Sequence, residues 1–226
     1  MKIKRIAVYR VVLPYTRGVY HLSGGRTYTE FDVTVVSIES DEGLTGWGES
    51  TPFGANFVAA HALGVRAGIE EIAPHLIGEN PLAIDRINDF MDDILKGHYH
   101  VKSGLDIACW DLLGKATGLS VCTLLGGGTE RPMKVISSVP AESPADMVAY
   151  VEQLRQKGYR SHSIKVGSTV ELDIARIEAV MKARQPGELY LVDVNCGWTL
   201  DTALQVSDGL EVGGFCYEQP CTTLRE

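Results

Sequence analysis

The hydrophobic pattern changes period along the chain. In the first fifty residues it alternates. "KIKRIAVYRVVL" reads as a half-buried strand, and "EFDVTVVSIES", "DEG" and "LTGWGES" read as a hairpin. Gly43 supplies the positive backbone angle that its turn needs. The intervening "PYTRGVYHLSGGRTYT" is glycine-bearing and has no period, which predicts a loop long enough to be functional. Across residues 56–125 the period becomes helical. "HALGVRAGIEEIAPHLIG" is predicted to stop at Pro74 and Gly78, and "PLAIDRINDFMDDIL" to carry Pro81 in its first turn. "SGLDIACWDLLGKATG" sets Leu105, Ala108, Cys109, Leu112 and Leu113 at helical spacing.

After "LLGGGTERP" strands and helices alternate, which places a domain boundary at residues 126–128. "MKVISSVP", "HSIKVG", "LYLVDVN" and "GFCYEQP" read as four strands. Ser143 and Pro144 open the first intervening helix. Ser168 and Glu171 are expected to form a capping box for the second, whose buried face carries Val170, Ile174, Ile177 and Met181. A third helix covers residues 199–210. The predicted architecture is an α+β domain over residues 1–126, then a partial (β/α) barrel of the TIM type over residues 127–226. A complete barrel takes about 250 residues. Four strands leave an open edge, so the sequence reads as the N-terminal part of a longer protein. By itself it is expected to be inactive and aggregation-prone.

Composition narrows the partners. The 226 residues are 45% hydrophobic and 22% charged, ordinary values for a globular protein. A net charge of -8 without any lysine- or arginine-rich block argues against nucleic acid and anionic membranes. A small polar substrate stays possible, because the field in a site need not follow the net charge. The five cysteines form no C-x-x-C pair. No leader-like apolar core follows Met1, and no run is long enough to span a bilayer. Free thiols in a reducing cytoplasm are expected.

Lys165, Asp193 and Glu218 fall near the C-terminal ends of three successive predicted strands. They lie one β/α unit apart, the end where such barrels carry their active sites. A lone lysine at a strand end is more often a solvated cap. Two carboxylates on neighbouring strand ends, however, repel each other unless a cation lies between them, and Mg²⁺ takes such oxygens. A lysine beside that cation is pushed toward the neutral form that a general base requires. The chemistry that needs this trio is proton abstraction next to a carboxylate. The α-proton is barely acidic, and a divalent metal on the carboxylate stabilises the enediolate that forms.

"GLTGWGES", "SGLDIACWDLLGKATGLSVCTLLGG", "IKVG", "VDVNCGW" and "YEQP", in that order, resemble the enolase superfamily, and within it the mandelate racemase/muconate lactonizing subgroup. The resemblance covers the whole chain. It implies a capping domain followed by a barrel, with Lys165 as base and Asp193 and Glu218 as the first two Mg²⁺ ligands, Asn195 beside them. A third carboxylate ligand and any further acid or base would lie beyond Glu226, and a homo-oligomer is implied. The subgroup often has Lys-x-Lys on the second strand. Here Ser163 holds the first position, which removes a neighbouring charge.

"YHLSGGRTY", "GESTPFGANF", "GHYHVKSGLDIACWD" and "SHSIKVG" look most like the cis-3-hydroxy-L-proline dehydratases, with proline-betaine and hydroxyproline-betaine epimerases close by. The dehydratase resemblance implies that Lys165 takes the C2 proton, the 3-hydroxyl leaves as water, and the enamine becomes Δ1-pyrroline-2-carboxylate. Tyr20, His21 and Ser23 from the first loop, and Thr51, Phe53 and Asn56 from the second, would cap the pocket, the aromatics suiting a cationic ring nitrogen. A 2-epimerase stays open and needs a second base on the opposite face. So does a non-catalytic α/β binding module. His98 and His100 sit at a predicted helix start, and Trp47, Trp110 and Cys216 are expected to pack.

Overall fold

The structure, a computed structural model, describes residues 1–128 and 131–225. In chain order it has strands β1 (Ile3–Pro14), β2 (Tyr20–His21), β3 (Thr27–Tyr28), β4 (Glu30–Ser40) and β5 (Thr45–Ser50). Helices α1 (Ala62–Leu76), α2 (Ile84–Ile94), α3 (Tyr99–Thr117) and α4 (Val121–Leu124) follow. Then come β6 (Ser137–Val139), α5 (Pro144–Gln156), β7 (Ser161–Lys165) and α6 (Val170–Lys182). The last elements are β8 (Leu189–Asp193), α7 (Leu200–Gly209) and β9 (Cys216–Glu218). Two compact units result: Met1–Pro14 with Glu30–Glu130, and Tyr15–Thr29 with Arg131–Glu226. Residues 15–29, expected within the first domain, therefore belong to the second unit, to which Ser23 and Gly24 hydrogen-bond.

In the first unit β4 is the central strand of an antiparallel sheet, between β1 and β5. Its Val36 and Ile38 meet Val65, Ile69 and Ile72 of α1, Ile87 and Met91 of α2, and Leu105, Ala108 and Leu112 of α3 in one apolar core. The hairpin turn has Gly43 at φ +85°, as its sequence predicts. β1 is less buried than its alternation suggests. Ile3 is buried, but residues 8–13 are exposed, because the helices cover the sheet toward β4 and β5 rather than along this edge strand.

α3 approaches β5 so closely that side chains are excluded. A Cβ on Gly48 would lie 1.9 Å from the Gly104 carbonyl oxygen, and one on Gly46 would lie 2.1 Å from that of Ala108. Both clashes are with backbone, which cannot swing away. Gly48→Ala is therefore expected to cost about 3 kcal/mol or more, read as a fall in the urea midpoint. A midpoint unchanged from the parent would mean that helix and strand can separate at little cost.

Three helix boundaries differ from the expected ones. α1 runs through Pro74 to Leu76, since proline removes only its own N–H and the next two residues can still complete the last turn. Pro81 precedes α2, because the Asn80 side chain accepts the Leu82 N–H at 3.1 Å and uses that stretch as a turn. α6 is capped by Thr169, which accepts from the Leu172 N–H, and Ser168 makes no capping box. The Ser168 N–H goes instead to Asp173. On α6 itself, Ile177 and Met181 are buried, while Val170 and Ile174 are only partly so.

The second unit has a parallel sheet in the order β6-β7-β8-β9. Val139, Ile164, Val166, Tyr190, Val192 and Val194 face Met147 and Val151 of α5, Ile177 and Val180 of α6, and Val206 of α7. Ser143 and Thr199 cap α5 and α7. β6 is shorter than "MKVISSVP" because pairing begins at Ser137 opposite His162, the second residue of β7. The 15–29 segment carries its own small ladder, Tyr20 opposite Tyr28, where only a loop was expected. Among the described residues, no helix is long and apolar enough to cross a membrane.

Candidate active site

Parallel pairing brings the three strand ends into one row: Lys165 lies opposite Asp193, and Asp193 opposite Glu218. Successive side chains on a strand point to opposite faces. Since Ile164, Val166, Val192 and Val194 belong to the core under the helices, the row Lys165, Asp193, Glu218 faces the other way. So does the preceding row, Ser138, Ser163, Leu191 and Cys216. Cys216 is exposed there rather than packed.

Lys165 and Asp193 are buried, at 8% and 3% exposure, and form an ion pair between Nζ and Oδ2. The other Asp193 oxygen, Oδ1, accepts the Asn195 N–H at 3.0 Å. Asn195 adopts φ +48°, a left-handed turn that its short side chain tolerates. Its Oδ1 is buried without a hydrogen-bond partner among the described residues. The half-buried Glu218 carboxylate likewise has no hydrogen bond or ion pair among the described residues. Two adjacent carboxylates and an orphaned amide oxygen make a hard-oxygen donor set, which suits Mg²⁺. No group of three or more His, Cys, Asp or Glu converges among the described residues, so these offer two carboxylates at this place, not a full set.

The 15–29 segment is fastened to these same strand ends. Ser23 is buried, and its Oγ donates to the Asp193 carbonyl at 2.9 Å. The Gly24 N–H reaches the Gly167 carbonyl at 3.1 Å. Expected as a pocket cap, the Ser23 hydroxyl is thus spent on backbone. The Tyr20 hydroxyl lies 3.2 Å from Ser138 Oγ, on the face of the sheet that carries Ser163. His21 turns aside, its Nε2 being 3.8 Å from the exposed Glu142 carboxylate. Ser138 stands opposite Ser163 in the β6–β7 pairing, a register visible only once the strands are paired. Thr51, Phe53 and Asn56 lie in the first unit. Thr51 Oγ1 donates to Glu49 at 2.6 Å, and the Phe53 ring sits between Phe31 and Phe57.

Comparison with known proteins shows the family. Residues 6–126 match the model of the mandelate racemase/muconate lactonizing enzyme N-terminal domain, and residues 146–226 that of the enolase C-terminal domain-like family. The chain belongs to the mandelate racemase/muconate lactonizing group of the enolase superfamily. It is 43% identical, over all 226 residues, to a cis-3-hydroxy-L-proline dehydratase of Roseibium aggregatum, of which it covers 62%. It is 34% identical over 203 residues to an N-succinyl-L-Arg/Lys racemase of Bacillus cereus, covering 88% of this chain and 53% of that one. A protein of Roseovarius nubinhibens, solved in complex with magnesium and assigned to the same group, superposes with a TM-score of 0.94 at 47% identity. That match covers all of this chain and 62% of the other. The chain thus spans between about half and three fifths of the length of these relatives.

Proposed function

We propose that the chain carries the base and the first two metal ligands of a dehydratase acting on cis-3-hydroxy-L-proline. The observation that carries this reading is the in-register row of Lys165, Asp193 and Glu218. The 43% identity to a dehydratase of that substrate over the whole chain supports it. In this scheme Lys165, as the free amine, accepts the C2 proton. The electron pair left on C2 forms the C2–C3 double bond as the C3–O bond breaks, and the hydroxyl leaves as water with a proton supplied by a general acid. The enamine then tautomerises to Δ1-pyrroline-2-carboxylate. Asp193 and Glu218 would hold Mg²⁺, with Asn195 Oδ1, buried and without a partner among the described residues, as a further oxygen for it. Bound there, the cation would supply positive charge against the second negative charge developing on the substrate carboxylate. Asp193 also holds Lys165 in place, Ser163 lines the floor beside it, and Tyr20 stands at the rim.

Residues 1–14 and 30–126 act as the capping domain in this reading, with Thr51, Phe53 and Asn56 on its substrate loop. The assembly is a cytoplasmic homo-oligomer that uses a small imino acid. Racemase relatives motivate a second reading, 2-epimerisation of a related amino acid, with the same Lys165 and metal ligands.

The test is Mg²⁺ titration by calorimetry on the complete gene product, followed by NMR of cis-3-hydroxy-L-proline in D₂O. Asp193→Asn and Glu218→Gln are each expected to weaken Mg²⁺ binding by about 100-fold, as loss of a charged oxygen ligand does, and to abolish water loss. Unchanged Mg²⁺ affinity in both variants would remove them as ligands. C2 exchange with inversion but no dehydration would select the epimerase reading.

A further inference from the structure

Asp173, in the first turn of α6, is a fully buried carboxylate outside the row described above. Its Oδ2 accepts three hydrogen bonds: from the Gly167 N–H at 2.9 Å, the Ser168 N–H at 2.6 Å and the Trp198 indole N–H at 2.9 Å. Its Oδ1 faces the Arg176 guanidinium at 3.1 Å. Arg176 also donates to Ser168 Oγ at 3.0 Å and to the Glu142 carbonyl at 2.8 Å. Capping α6 does not explain these bonds, since Thr169 already does so. They run outward instead. Gly167 and Ser168 form the turn that leaves Lys165, and Trp198 ends the turn that leaves Asp193 and Asn195.

One oxygen therefore ties together the two turns that carry the base and the first carboxylate. The same turns receive the 15–29 segment, through Ser23 on the Asp193 carbonyl and Gly24 on the Gly167 carbonyl. The fit is tight, for a Cβ on Gly167 would lie 2.9 Å from the Gly24 nitrogen. We propose that Asp173 is a positioning residue, which fixes Lys165 relative to Asp193 and Asn195 and shapes the platform on which residues 15–29 rest. The proposal rests on the reading of the row as base and metal ligands. It assigns a role to a side chain that touches neither metal nor substrate.

Asp173→Asn keeps one oxygen for the three N–H groups but turns an NH₂ toward Arg176. Trp198→Phe removes a single donor and keeps an aromatic ring. In the complete gene product, Asp173→Asn is expected to weaken Mg²⁺ binding without substrate by about 10- to 100-fold, the range for residues that orient metal ligands. It is expected to lower kcat by a similar factor with KM changed far less. Trp198→Phe should shift both in the same direction by about a third of that range on a logarithmic scale. Should Asp173→Asn fail to melt cooperatively, Trp198→Phe decides. A cooperatively folded variant with Mg²⁺ affinity and kcat within about twofold of the parent would overturn the proposal. A parent that binds Mg²⁺ but leaves cis-3-hydroxy-L-proline unchanged would sink the substrate reading, and the Mg²⁺ titration would still decide the role of Asp173. A parent that binds no Mg²⁺ would overturn both.

Discussion

On the proposal that Lys165 is the base, Lys165→Ala in the complete gene product is expected to lower turnover by about 10³- to 10⁴-fold, the upper range for removal of a general base, while Mg²⁺ binding is kept or tightened. The two effects separate because Lys165 and the cation would share one oxygen. In the structure the ammonium of Lys165 occupies Asp193 Oδ2. A buried carboxylate facing two cations divides its charge between them, so removing the lysine frees that oxygen. A loss of activity through damage to the metal site would instead weaken binding. The measurement is C2 exchange in D₂O by NMR, with calorimetry of Mg²⁺ on the same sample. Exchange at more than about a tenth of the parent rate would mean that another group takes the proton.

Glu188→Gln is expected to destabilise the second unit by about 3–5 kcal/mol at neutral pH, the cost of breaking a buried ion pair from one side. Glu188 is fully buried under the helices. Its carboxylate accepts from Arg155 Nε at 2.7 Å and from the second Arg155 nitrogen at 2.9 Å. It also accepts the Gln185 N–H and the Tyr190 hydroxyl, each at 2.9 Å. Burial alone would raise its pKa, but the Arg155, Gln185 and Tyr190 hydrogen bonds outweigh it and bring it down to about 2. The glutamine variant leaves the Arg155 guanidinium, only 7% exposed, with part of its counter-charge gone.

Acid should act on the same cluster. The folded Glu188 value lies below its ordinary 4.5, so its stabilisation is present above pH 4.5 and is lost as pH falls toward about 2. His162 is buried beside it, with Nδ1 2.8 Å from Ser137 Oγ, and burial lowers its pKa from 6.5. The folded state therefore prefers the neutral ring, and stability also falls as pH drops below 6.5. Urea midpoints taken from pH 7 to pH 2 should show parent and Glu188→Gln converging in the acid range. Parallel curves across that range would mean that the carboxylate is not what the cluster depends on.

Much of this architecture is legible in residue order alone. Alternation marks the β4–β5 hairpin, and the β/α period puts Lys165, Asp193 and Glu218 in phase. Parallel pairing turns equal spacing along the chain into adjacency across the sheet, so a repeat seen in one dimension becomes a row in space. The quoted motifs then point to the enolase superfamily, and the matches over residues 6–126 and 146–226 assign the chain to it. Ser163 stands out for a related reason, as a departure from a pattern otherwise kept.

Other features depend on contacts that no local pattern encodes. The Ser23 hydroxyl is paired with a carbonyl 170 positions away, so its partner could not be read from neighbouring residues. The 15–29 segment looks like an appendage of the first strand and hairpin, yet its hydrogen bonds carry it to the second unit. Asp173 reads as an ordinary acidic residue in a helix's first turn, and Glu188 as a polar residue between helix and strand. What the sequence determined by itself was periodic: elements, their order, the phase of the site and the family. Which buried charges meet, and which turns they bind, was decided only by tertiary structure. Those pairings span long separations, and they form where folding has removed the water that would otherwise satisfy each group alone.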